Sequence, residues 1–234
     1  MLHATNLIGF GAGGGVGNDQ YTKILLHFDG ANGSTTIADV AAGGAAKTWS
    51  PSNASLSTAK SKFGPSSLVT SAGYITTSDH PDFTLGAADW TIDFWVEFNG
   101  ATGSAVFGQA DAIGNVDSNS VSMTKLTTGI LLVSIRDSAG IKNLSSISNF
   151  NSLTGFNHVA VVRNGINARL HVNGAMESSV ALAGAVSDGT GDWSIGRIGA
   201  SPSNPSSAFF DEFRLSVGVA RWTSNFTPPS EPYD

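Results

Sequence analysis

The sequence predicts an all-β, two-sheet antiparallel jelly-roll sandwich carrying an extended glycine-rich N-terminal arm. Three observations predict it. Charged residues are only 13% of the 234 positions, about half the roughly 25% of an ordinary soluble domain. Gly, Ser, Thr, Ala and Asn fill the gap, and these suit turns and strand surfaces better than long helices. From Ile24 onward, short β-rich runs alternate with turn residues nearly to the end of the sequence, which is the pattern of a sandwich. A chain of this length fits a single large β domain.

In order along the chain, residues 1–22 form the arm. Gly9, Gly11, Gly13, Gly14, Gly15 and Gly17 give it little to bury and much backbone entropy to lose. Leu7, Ile8 and Phe10 are its apolar anchors, so it reads either as a disordered leader or as a segment that orders against a neighbouring subunit. The sandwich spans 23–226. Its first strand is Ile24 to Phe28. In Trp90 to Phe98, alternation puts Ile92, Phe94, Val96 and Phe98 on one face and Asp93, Trp95 and Glu97 on the other. Strands follow at Ile130–Ile135, His158–Arg163, Ala168–Val172, Trp193–Ile195 and Phe210–Leu215. Asn164-Gly165 and Asn173-Gly174 are hairpin turns, because a type I′ turn needs positive φ at both positions. Residues 227–234, rich in proline, cannot continue a sheet and form a terminal tail.

Composition excludes several functions. The net charge of −6 and the scattered 12 Lys and Arg provide no basic stripe for nucleic acid. No stretch approaches the ~18 apolar residues of a membrane span, and the N-terminus lacks the basic and apolar regions of a signal peptide. With 0 Cys, neither disulfides nor thiolate metal sites are available. The five histidines have no metal-ligand spacing. Gly11 to Gly15 lack the strand and helix that give a dinucleotide fingerprint its meaning.

Four segments together resemble the laminin-G-like branch of the concanavalin A-like lectin and glucanase class. They are Leu25-Leu26-His27-Phe28-Asp29-Gly30; Lys62-Phe63-Gly64-Pro65 running through Tyr74-Ile75-Thr76 into Trp90 to Trp95; Phe156 to Arg163 with Leu170 to Gly174; and Ser194-Ile195-Gly196-Arg197 leading to Phe209 to Leu215. The closing run Gly218 to Pro229 resembles the end of such domains in tailed-phage structural proteins. That resemblance implies a non-enzymatic virion component: a capsid decoration, head fibre or tail protein on the particle surface, assembled in the host cytoplasm. The arm would fasten it to capsid or tail proteins, and a trimer is expected by analogy. The alternative is a lectin-like module that binds a cell-surface glycan.

Candidate site residues follow. Asp29, Asn32, Asp39 and Asp211 offer hard oxygen ligands of the kind calcium takes, and family members often hold a structural calcium where Asp29 and Asp211 stand. Asp29 and Asp39 read equally as turn formers. Trp95 offers a flat apolar platform for a sugar ring; Asp93, Glu97, Arg169 and His171 are its polar neighbours in a glycan site. The competing reading packs Trp95 under a crossing loop and pairs the charges across strands. Asp93 and Glu97 also invite a glycosidase reading, since retaining enzymes need two carboxyl groups roughly 5 Å apart. The glucanase branch places a third acid between them, and here that position is Trp95, so hydrolysis is the least favoured function.

Overall fold

A computed structural model describes residues 17–109, 120–198 and 205–234. The described residues form thirteen strands: β1 Thr22–Leu26, β2 Ser50–Ser57, β3 Ser67–Thr77, β4 Trp90–Phe98, β5 Ser104–Gln109, β6 Val121–Lys125, β7 Leu131–Asp137, β8 Gly140–Ser145, β9 Asn157–Asn164, β10 Asn167–Val172, β11 Ala175–Ala181, β12 Trp193–Ile195 and β13 Ser206–Val217. Among the described residues, the helical content is one 3₁₀ turn, Pro81–Phe83, whose first N–H groups are capped by His80.

All pairings are antiparallel, in the order β11-β10-β9-β4-β13-β3-β12-β5-β6-β7-β8, with β1 added on β13 and β2 on β3. The path curls into two layers. Its ends approach each other where the Glu177 carboxylate of β11 accepts the N–H groups of Ile147 (2.8 Å) and Ser148 (3.0 Å), just past β8. Between the layers, Phe94 and Phe213 from one half meet Phe107 from the other, with ring centroids 5.8 and 5.9 Å apart, and Trp193 stacks on Phe107 at 6.0 Å. All four are fully buried, and burial of each such side chain stabilises by about 1.5–3 kcal/mol.

Alternation was a sound guide where strands are apolar on one face. The predicted Trp90–Phe98 and Trp193–Ile195 strands are observed at the same bounds, and Asn173-Gly174 turns with φ of 48° and 81°, as expected. The other hairpin is shifted. Asn164 pairs with Asn167, so its loop is Gly165-Ile166 and positive φ falls on the glycine.

β13 carries the feature that positions the site. Its register on β4 slips between Asp211 and Arg214, so that Glu212 and Phe213 together oppose Phe94. Glu212 adopts a left-handed φ of 48°. A bulge of this kind re-aims side chains. Here Phe213 enters the core, while Asp211 and Arg214 stand on the outer face beside Trp95 and Asp93.

Two expectations about the ends need correction. The sequence assigns residues 1–22 to the arm, but Asn18 and Asp19 already belong to the folded unit. Asn18 donates its N–H to the Asp234 carbonyl (2.5 Å) and Asp19 pairs with Arg221 (2.9 Å). Leu7, Ile8 and Phe10 lie outside the described residues. Nor is the 227–234 segment a loose tail. It contains no strand, yet Pro229 and Tyr233 are buried, and Tyr233 is among the largest fully buried side chains.

Candidate functional site

Asp93 on β4 is fully buried, a position a carboxylate tolerates only with a cation and hydrogen bonds. Arg214 supplies both: its Nε bonds Oδ1 and its Nη2 bonds Oδ2, each at 3.1 Å. Tyr233 then reaches back over the sheet. Its ring lies 3.6 Å from the Arg214 guanidinium carbon, and its hydroxyl donates to Asp93 Oδ2. His158 Nε2 meets the same hydroxyl at 3.2 Å, so proton order runs from His158 Nε2–H to the Tyr233 oxygen and from the Tyr233 O–H to Asp93. Burial would push the Asp93 carboxyl up, but the Arg214 guanidinium and His158 hold it below the usual carboxylate range. Burial and the neighbouring Asp93 hold the Tyr233 phenol well above its ordinary value, so it stays a donor.

The segment after β13 crosses this face. Arg221 anchors its start, with bonds to Asp19, Thr22 and Ser216. Trp222 and Phe226 stack on each other at 4.2 Å, and both meet the edge of His158, at 5.5 and 5.6 Å. Phe226 donates its N–H to the Gly174 carbonyl (2.9 Å), and Asn225 accepts from Met176 N (2.9 Å).

This arrangement corrects the predicted glycan site. Asp93 and His171 are fully buried beneath the chain's own C-terminal segment. Trp95 keeps 5% exposure; its ring is covered by Lys62 Nζ at 4.0 Å and flanked by Phe63 and His158. The platform therefore has a cation, not a sugar, over it. Glu97 pairs with Lys60. Glu97 and Arg169 remain partly exposed, but Arg169 lies in the row of Val162 and Thr91, six residues or about 20 Å along β4 from Glu97. The alternation was correct; what lay over the face was missed. The same facts bear on the glycosidase pair, because Asp93 is held by Arg214 and has no path to solvent.

Three of the four calcium candidates hold backbone N–H groups. Asp39 accepts backbone N–H groups from Leu25, Ala41 and Lys47. Asp211 accepts those of Lys62, Phe63 and Glu212, and burial pushes its carboxyl up to about 7 against their pull. Asn32 caps Thr58. Asp29 is exposed near Gly64. Among the described residues, no three His, Cys, Asp or Glu side chains form a group able to hold a metal.

The opposite half of the sandwich has a different outer face. A single lateral row joins Thr76, Ser194, Gly108, Ser122, Ser134 and Asn143 across six strands. Every member is small or amide-bearing, and none is charged. At strand spacing the row spans about 24 Å. Ile198 packs over Gly108, where an added Cβ would meet it at 3.3 Å. Beside it the Arg197 guanidinium stacks on the Tyr74 ring at 3.9 Å. Arg197 Nε and Ser194 Oγ are buried atoms with no hydrogen-bond partner. From there toward β8 the face opens: Thr124 and Ser134 are half-buried, Asn143 and Ser145 exposed. Sequence reasoning missed this face, although its period-two run of Ser122 and Thr124 was a visible signal.

Fold and surface together define a lectin-like jelly-roll domain. The family model described as the concanavalin A-like lectin/glucanases superfamily, laminin-G type 3, matches residues 69–220, and the chain belongs to that family. No curated protein sequence matches it. Among solved structures, it resembles the binding domain of paraclostridial mosquitocidal protein 1 (12% identity, TM-score 0.64, covering 84% of this chain and 48% of that one). It also resembles the binding domain of botulinum neurotoxin DC in complex with SialylT (10%, 0.59, 85% and 48%). A third is a botulinum neurotoxin type C structure, whose cell entry depends on two ganglioside molecules (12%, 0.61, 89% and 49%). The chain spans about half the length of each, and identities this low show a shared fold.

Two outcomes are expected. Replacing Arg214 by Leu leaves Asp93 buried without its cation, and urea unfolding should show a loss of about 3–5 kcal/mol. Because Asn32, Asp39 and Asp211 are already bonded to backbone N–H groups, the melting midpoint should be the same in calcium and in chelator; a rise of several degrees with calcium would support a bound ion.

Proposed function

We propose that this domain is a non-catalytic glycan-binding module that works through the outer face of β5–β8. The observation that carries this reading is the uncharged row from Thr76 to Asn143 with the Tyr74–Arg197 stack at its edge. Ser194, Gly108 and Ser122 are buried, so the accessible part of the face is Thr124, Ser134, Asn143 and Ser145 toward β8, whose hydroxyl and amide groups suit the hydroxyls of a saccharide. The relatives that bind SialylT and gangliosides support the same class of ligand for this fold. The other face supports the non-catalytic part, since the β4 acids Asp93 and Glu97 are held in ion pairs with Arg214 and Lys60, and the third carboxylate there, Asp211, accepts three backbone N–H groups.

We further propose that the module is carried on a phage particle, in head or tail, with Leu7, Ile8 and Phe10 of the N-terminal arm as its attachment. This rests on the resemblance of Gly218 to Pro229 to the closing segment of phage structural proteins. The packing of that segment onto the sheet gives its residues a role in the fold as well.

A glycan array followed by calorimetry on the best ligand tests the first reading. Arg197→Ala and Asn143→Ala should each weaken binding about ten-fold, the worth of one hydrogen bond of about 1.4 kcal/mol, while Arg169→Ala leaves affinity unchanged. Loss at Arg169 alone would return the site to the other face. In particle reconstitution, deletion of residues 1–16 should abolish incorporation and leave glycan affinity intact.

A further inference from the structure

His171 is fully buried on β10, and neither ring nitrogen has a hydrogen-bond partner. Such an imidazole is tolerated only while neutral. It sits against Phe226 with centroids 5.4 Å apart, and its neighbour across β9 and β10 is Ala160. His158, also fully buried, has an unpartnered Nδ1 and spends its Nε2 on the Tyr233 hydroxyl. Both imidazoles thus lie directly under the aromatic residues that hold the C-terminal segment to the sheet.

We propose that residues 222–233 form an acid-released strap over the β10-β9-β4-β13 face, with His171 as the principal trigger and His158 as its second member. The hinge is Arg221, whose bonds to Asp19, Thr22 and Ser216 involve no imidazole and outlast its release. This device lies on the face opposite the proposed glycan row and is independent of that reading.

The charged groups around the pair give the sign. On its own strand His171 faces Arg169, and across β9 it faces His158; a proton on His171 is repelled by both, and no carboxylate offsets it. His158 faces Asp93 from β4, Arg214 from β13, Lys62 from the β2–β3 loop and Tyr233 from the strap. Burial lowers it, Asp93 opposes that, and Arg214 and Lys62 add to it. Burial first, then Arg169 and His158, lower His171 to about 4. In an open state the imidazole is hydrated and titrates near its ordinary ~6.5. The closed form is therefore fully favoured above pH ~6.5 and loses ground as pH falls toward about 4, by up to roughly 300-fold from His171 alone.

Hydrogen exchange read by mass spectrometry on the full chain, at pH 7.5 and 4.5 with correction for intrinsic rates, tests the proposal. Exchange over 222–233 should accelerate at least ten-fold in acid while β3, β5 and β6 stay protected. His171→Phe should diminish the acceleration, leaving only the contribution of His158. His171→Leu serves as a second apolar replacement should the larger ring distort the site. Equal strap protection at both pH values, loss of protection spread evenly over the sandwich, or undiminished acid release in both folded variants would each overturn it.

Discussion

The buried ion pair between Asp93 and Arg214 is the constraint around which this domain is arranged. A carboxylate and a guanidinium on neighbouring strands, both out of water, gain little net stability over apolar residues of the same size, yet removing either leaves the other stranded. The surrounding structure has to deliver both partners. The β13 bulge sets Arg214 opposite Asp93 with Phe213 still in the core. Tyr233 supplies the remaining donor to Asp93 and lays its ring on the guanidinium. Glu212, left at positive φ by the bulge, accepts the Tyr233 N–H at 3.1 Å and bonds His27 Nδ1 at 2.8 Å, raising that imidazole above its ordinary value. One ionic contact thus accounts for a bulge, a strained backbone angle and a folded C-terminus.

The division of labour between the two layers follows. The layer containing the ion pair is spent on holding itself together, its polar face roofed by Trp222, Phe226 and Tyr233. Among the described residues, the layer from β5 to β8 has no buried charge pair to protect on its outer side, and Thr124, Ser134, Asn143 and Ser145 keep access to solvent. In a β-sandwich, a polar outer face is not automatically a binding face, because a terminal segment can claim it first.

This explains what was legible in the sequence. Period-two alternation located β4 and β12 and put Asp93, Trp95 and Glu97 on one side, because alternation is a local property of the backbone. The Lys62 ammonium over Trp95 and the strap over Asp93 come from residues 33 and up to 140 positions away, and no periodicity encodes which distant segment covers a face. The aromatic residues after the last strand were the available hint. Three rings at Trp222, Phe226 and Tyr233 amid prolines are more than a solvated tail needs. β2 escaped notice for the opposite reason: Ser50 to Ser57 is too polar to look like a strand and becomes one because β3 offers it an edge. Asp39 and Asp211, read from the sequence as calcium ligands, accept backbone N–H groups of loops that sequence does not bring together.

The central position of β13 also bears on how the domain is made. It pairs with β1, β3 and β4, and every other described strand precedes it in the sequence. During synthesis, β3 and β4 must wait with open edges until β13 emerges from the ribosome. Such long-range pairing slows folding, and waiting strand edges are sites where copies of a chain join wrongly. The low charge of the sequence gives little repulsion against that error, so yield of the domain should depend on how quickly β13 finds its slot.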